Sequence, residues 1–283
     1  MVIVVVMVFR EEAMSSTQER IQVFQDTLKW INTDPTLKEA VEDTMRHTFV
    51  FYEDYYPEFD ITRHKKTSIT ISDKRSFQAA VDLHVKDSSR KIAVMNFANA
   101  FQPGGGVVDG ASAQEECLCR TSTLYPSIQW EQLRNTFYAH HHEMGTPTAS
   151  DSLIYSEGII VCKTDEDIPK RLPKEDWIKV DVITIAAPDQ RTGVLYTNDA
   201  ALFGYHVKRA IHMLTCAAAK NADVLVLGAF GCGAFQNNPE VVANAYKIAL
   251  DVFPNFFDQV EFAIYSPQGK ERNYKVFEQI LLN

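Results

Sequence analysis

Of 283 residues only five are cysteines, and Cys117, Cys119, Cys162, Cys216 and Cys232 are odd in number, show no CxxC spacing and follow no cleavable secretion signal. That excludes a disulfide framework and points to a reducing, intracellular setting, cytoplasmic, or nuclear if the source is eukaryotic. Long hydrophobic runs are missing too. The opening Met1-Val-Ile-Val-Val-Val-Met-Val-Phe9 is far shorter than the roughly 20 residues a bilayer crossing needs, and acidic residues follow it at once. No membrane association is expected. Positive charge is in short supply: a net charge of −9 and an isoelectric point near 5.4 argue against a large basic surface of the sort that binds nucleic acid by releasing counterions. Sequence-specific nucleic-acid binding is not expected, and an anionic ligand needs a local site. The chain also lacks internal repeats, a GxxxxGK[ST] loop, a GxGxxG after its first strand and HExxH, which removes nucleotide-dependent P-loop and dinucleotide enzymes and the common zinc sites. Neither a cofactor nor a metal is expected.

What remains is ordinary globular composition, 46% hydrophobic and 23% charged, enough to bury one main core. Met14 begins a polar stretch that caps a helix from Gln18, so residues 1–13 are read as an upstream-start artefact or disordered tail, against the alternative of a first strand. From Gln18 to about His47 apolar residues recur near every 3.6 positions, with Asp34-Pro35 breaking the run. This all-α leader is taken as an N-terminal helical extension over 14–65, with a seam near 57–66 and a catalytic domain over 66–283. Beyond it, strand patterns at 67–71, 91–96, 154–162, 180–186, 223–228 and 259–265 alternate with helical ones at 75–84, 114–123, 199–219, 239–252 and 270–281. The fold class is therefore α/β, a mixed and largely parallel sheet with helices on both faces.

In such sheets ligands bind beyond the carboxyl ends of the strands, which directs attention to the loops after Asn96, Ala186 and Gly228. The first contains Asn99 and then Gly104, Gly105 and Gly106, whose lack of a Cβ lets backbone approach a ligand; seven residues on comes Gln114-Glu115-Glu116. Adjacent glutamates ordinarily mean a solvated helix face, but this pair opens a helix. Neighbours there diverge by about 100°, so one carboxylate is free to face a reacting atom while the other holds substrate. A helix N-terminus favours the ionised form, so burial must outweigh the dipole if Glu116 is to act as an acid near neutral pH. The loop holding Gly231, Gly233, Ala234 and Phe235 runs from a strand to a helix near Pro239 whose N–H groups suit an anion, a diphosphate being the natural guest. Tight αβ packing is the plain alternative. Phe235 is read as lining a base or ribose, Cys232 as a spacer, and His140-His141-His142 as a polar helix end, since adjacent positions cannot converge on one ion.

The three glycines, the spacer of seven and Gln114-Glu115-Glu116 resemble the GGG-X(6–8)-QEE signature of poly(ADP-ribose) glycohydrolases. The stretches around Asn96-Phe-Ala-Asn99, Cys117-Leu-Cys-Arg120, Val182-Ile-Thr-Ile-Ala-Ala-Pro188 and Gly231-Cys-Gly-Ala-Phe235 are similar to its microbial branch over about residues 18–282. The resemblance implies a macrodomain-like fold with an N-terminal helical extension. It further implies Glu116 as catalytic acid/base, Glu115 and Asn99 on ribose hydroxyls, Gly104, Gly105 and Gly106 wrapped round the distal ribose, Gln114 beside them, and Gly231, Gly233, Ala234 and Phe235 on the diphosphate. Asp189 stands where that branch carries Asn, which leaves the turn after Ala187-Pro188 without an assigned role. The implied partners are poly(ADP-ribose) or ADP-ribosylated proteins, with ADP-ribose as product and the protein a monomer. Two rivals share these loops: a non-catalytic ADP-ribose reader and a mono-ADP-ribosyl hydrolase.

Overall fold

The computed structural model describes residues 15–60, 66–191, 198–269 and 271–283. The expectation for residues 1–13 lies outside them, as do residues 61–65 of the expected seam and the first residue of the helix expected at 270–281.

Local chemistry sets the first two helices. Ser15 and Gln18 form a reciprocal capping box at the start of α1 (Ser16–Thr33). Asp34 then ends α1 and starts α2 (Pro35–Arg46): its carboxylate accepts from the N–H groups of Thr36 and Leu37, and Pro35 occupies a position where no N–H is needed. The leader is not wholly helical. It also holds a strand, β1 (Thr48–Phe51), which pairs antiparallel with β4 (Leu153–Val161) more than a hundred residues away.

The remaining elements are β2 (Ser68–Ser72), α3 (Ser76–Lys86), β3 (Ile92–Ala98), α4 (Gln114–Thr121), α5 (Leu124–Ile128), α6 (Glu131–Leu133), α7 (Ala139–Met144), β5 (Ile178–Ala186), α8 (Asp199–Ala219), β6 (Val224–Leu227), α9 (Pro239–Asp251), β7 (Gln259–Ala263) and α10 (Arg272–Leu281). A π-helical turn, Arg134–Tyr138, joins α6 to α7. The pieces α5 and α6 were not expected, whereas the six strand patterns and five helical ones each meet an element, and α7 carries the helix end expected at His140-His141-His142. The seven strands run in the order β1-β4-β5-β3-β6-β7-β2; the pairs β1–β4 and β4–β5 are antiparallel and the rest parallel, the mixed sheet expected.

Alternation along β3 supplies two cores. Ala93 and Met95 face α8, α9 and α10 through Met213, Leu214, Tyr246 and Phe277. Ile92 and Val94 face the other side, packed with Phe77 and Ala80 of α3, Leu118 of α4 and Phe24 of α1. Phe24 belongs to that core outright, and burying such a ring stabilises by roughly 1.5–3 kcal/mol. The leader is thus part of the domain's packing. After β3 the chain leaves toward β4 and β5, and after β6 it leaves the other way, toward β7; the space beyond the carboxyl ends of β3 and β6 is a topological switch point. No helix among the described residues is long and apolar enough to cross a membrane.

Candidate active site

The loop after β3 folds around two carboxylates. Asn99 starts it, its Oδ1 accepting from the N–H groups of Phe101 (2.8 Å) and Gln102 (3.0 Å). Gly104 and Gly105 then take φ of +75° and +55°, turning the chain back. Gln114 fixes the first turn of α4 beside β3: its Oε1 accepts from Phe97 N–H, and its Nε2 donates to Met95 O and Ser76 Oγ. Its side chain therefore works on the scaffold, although the residue also borders the cleft.

Glu115 is buried. Its Oε1 accepts from Gly104 N–H (3.2 Å) and Asn96 Nδ2 (3.3 Å), and its Oε2 from Asn99 N–H (2.8 Å). Glu116 differs in one respect that matters chemically. Its Oε1 accepts from Gly106 N–H (3.0 Å), but its Oε2 has no partner in the protein. A Cβ on residue 105 would lie 2.6 Å from Glu116 Oε1 and 3.1 Å from Glu115 Oε2, so only glycine lets the loop close over both carboxylates. At Gly104 a Cβ would strike the ring of Tyr125 at 2.6 Å.

Burial pushes the Glu115 carboxyl up to about 8, helped by the neighbouring Glu116 charge and opposed by the three N–H donors it accepts from. At Glu115, burial beats the helix N-terminus. The same burial raises the thiols of Cys117, Cys119 and Cys232, which makes none of them an activated nucleophile. The three consecutive histidines diverge to four partners: His140 to Glu53, His142 Nε2 to Phe101 O, and His141 between Phe137 O and Ser150. His141 is fully buried, so the expected polar helix end conceals an internal strut.

The second loop, after β6, closes on itself through Cys232 N–H to Ala229 O, Gln236 N–H to Gly233 O and Asn237 N–H to Gly231 O. Among the described residues this leaves the N–H groups of Gly233, Ala234 and Phe235 without a protein acceptor. The start of α9, expected to face an anion, is instead capped by Asn238, whose side chain accepts from Glu240 N–H. Anion-binding capacity thus belongs to the loop itself. Asp189 is occupied by Arg191, whose guanidinium also lies 5.5 Å from the Phe235 ring.

Between the two loops lies a cleft of about 540 Å³. Asn99, Gly105, Gln114, Glu115, Glu116, Gly231, Gly233, Ala234 and Phe235 line it, while Gly104 and Gly106 act from behind through their N–H groups. A further wall went unread in the sequence: Lys74, Arg75, Asp165, Asp167 and Tyr265. Arg75 lies 4.2 Å over the Tyr265 ring and pairs with Asp167, presenting a planar cation at one end of the cleft. No local motif announces these residues, because they come from three separate loops.

Helix α1 braces the back of the site. Gly110, between the glycine loop and α4, has φ of +76°, and a Cβ there would lie 2.6 Å from Thr17 O. Arg20 Nε donates to Gly110 O, Thr27 Oγ1 to Arg120 O, and the buried Lys163 to Val23 O and Asp26.

The family model described as the microbial-type PARG catalytic domain matches residues 18–164. Among solved structures, the chain is similar to the poly(ADP-ribose) glycohydrolase of Thermomonospora curvata, with 30% identity, TM-score 0.80, and coverage of 93% of this chain and 99% of that one. The same bacterial protein bound to the inhibitor ADP-HPD superposes with TM-score 0.79 over the same shares at 30% identity. The Deinococcus radiodurans poly(ADP-ribose) glycohydrolase in complex with ADP-ribose shares 29% identity over 86% of this chain and 97% of its own, with TM-score 0.75. No curated protein sequence matches the chain.

Proposed function

Since this chain belongs to the microbial-type poly(ADP-ribose) glycohydrolase family, we propose that it hydrolyses the ribose–ribose O-glycosidic bonds of poly(ADP-ribose) and releases ADP-ribose, with Glu116 as general acid and base. The observation that carries this assignment is the asymmetry of the two glutamates. Glu115 spends both oxygens on protein donors, whereas Glu116 borders the cleft with one oxygen anchored on Gly106 and the other without a protein partner.

In this reading Glu116 gives its proton to the ribose oxygen leaving the anomeric carbon. The C–O bond breaks, and the substrate's own diphosphate, held on the loop of Gly231, Gly233, Ala234 and Phe235, helps stabilise the oxocarbenium-like carbon. Glu116, now a carboxylate, takes a proton from the water that attacks that carbon, which restores the acid. Glu115 and Asn99 hold the distal ribose, Gly104, Gly105 and Gly106 wrap it, and Gln114 keeps that wall in place. This is not the plan in which two carboxylates face each other across the bond, because Glu115 is occupied with the ribose hydroxyls. The helical extension over 14–65 belongs to the catalytic unit as a brace. The protein is read as an intracellular monomer.

The test follows release of ADP-ribose from automodified poly(ADP-ribose) by the purified protein and its Glu116→Gln variant. Wild type is expected to turn over, and the variant to lose roughly 10²–10⁴-fold in rate while still binding ADP-ribose. Binding by wild type with no cleavage would support the ADP-ribose reader. Cleavage only of single ADP-ribosyl groups would support the mono-ADP-ribosyl hydrolase, and undiminished turnover by the variant would move the acid role away from Glu116.

A further inference from the structure

Directly after the second glycine loop stands Asn237, a buried residue that does not line the cleft. Its side-chain Nδ2 donates to three carbonyl oxygens, those of Pro188 (2.7 Å), Gly231 (3.1 Å) and Phe235 (3.3 Å). Its Oδ1 lies 2.9 Å from His206 Nε2 on α8. Three acceptors on one side settle which end of the amide is the NH₂ group, so Oδ1 faces the imidazole and Nε2 must be the donor. Burial drives the His206 ring down to about 4, so it is neutral at pH 7 and its single proton is committed to that nitrogen. The loop is shaped to this amide. Gly231 has φ of +73°, and a Cβ there would lie 2.6 Å from Asn237 Nδ2 and 2.6 Å from Ala187 Cβ.

We propose that Asn237 is the positioning residue of the anion loop: oriented by His206, its amide ties the turn after β5 to both ends of the glycine loop and so holds the N–H groups of Gly233 and Ala234 where a diphosphate is accepted. Without that donor the buried Pro188 oxygen loses its bond, while those of Gly231 and Phe235 keep only the backbone N–H groups of Asn237 and Gln190, so the side-chain tie between the turn and the two ends of the loop is gone. The proposal rests on the functional reading above, since it names the support for that reading's diphosphate loop.

Asn237→Asp is the sharp perturbation, because it keeps shape and volume while turning the donor into an acceptor. ADP-ribose binding by calorimetry, kcat and KM on poly(ADP-ribose), and Tm are to be measured on wild type, Asn237→Asp, His206→Gln and His206→Leu. Gln retains an N–H near the position of Nε2, and Leu does not. The expected result for Asn237→Asp is a Kd and KM raised at least about tenfold with kcat within about threefold, and for His206→Gln an affinity nearer to wild type than that of His206→Leu. If Asn237→Asp fails to fold, the His206 pair decides alone: equal affinities for Gln and Leu overturn the proposal. So does an Asn237→Asp protein that binds ADP-ribose as wild type does. A wild type that does not bind ADP-ribose at all removes the functional reading, and the proposal with it.

Discussion

Gly105→Ala puts the design of the catalytic loop under the most direct strain. At φ of +55° an alanine costs roughly 1–2 kcal/mol in backbone conformation alone. Its methyl would start 2.6 Å from Glu116 Oε1, whereas ordinary contact begins near 3.4 Å, so carboxylate or loop must yield by roughly 0.8 Å. Either movement loosens the Gly106 N–H bond that anchors Glu116, and a displacement near 1 Å at a reacting group costs on the order of 10²-fold in rate. The expected outcome is a kcat for ADP-ribose release lower by on the order of 10²-fold, with a Tm only a few degrees lower. Gly204→Ala is the matched control: that glycine is exposed within α8 with open space around it, and alanine there should raise stability by roughly 0.5–1 kcal/mol and leave turnover unchanged. A Gly105→Ala enzyme within threefold of wild type would refute the claim that this loop sets the position of Glu116.

Two further outcomes follow from burial. Glu115 has a folded value near 8 against 4.5 for a free glutamate, so the folded state holds the extra proton between those limits. Its contribution to stability is full below about 4.5 and is lost as pH rises through 8, at up to about 1.4 kcal/mol per pH unit. Glu115→Gln should flatten that part of a Tm-against-pH curve while lowering Tm throughout, because the new amide meets donors; an unchanged slope would contradict the assignment. Thr27→Val leaves the buried oxygen of Arg120 without its donor and should cost about 1–3 kcal/mol by denaturant titration. A neutral result would show that α1 is not tied to α4 by this bond.

The expected strands, the break at Asp34-Pro35 and the helix opened by Gln114 were legible because local chemistry decides them: alternation, a cap, a proline, a glycine triplet. What escaped depends on partners distant in sequence. Phe49-Val-Phe51 is too short to read as a strand until β4 lies beside it, and α5 and α6 are short pieces held by tertiary contacts. Asn237 follows its glycine loop directly, yet its role needs Pro188 and His206 in place; an Asn directly after a Gly-rich strand–loop turn is the signal to look for. The start of α9 was misjudged because Asn238, an ordinary capping residue, already occupies it.

The edge strand β2, among the described residues, pairs only with β7, in parallel, joining residues 68–72 to 259–263, and Thr70 and Ser72 reach across to Glu261. Parallel pairing over such a separation cannot begin until almost the whole chain is available, and contacts of that span are slow to form. Arg75 lies just past the end of β2 and Tyr265 just past the end of β7, so this wall of the cleft is assembled by the last strand to emerge. A nascent chain carries both glutamates long before it has a closed pocket to use them in.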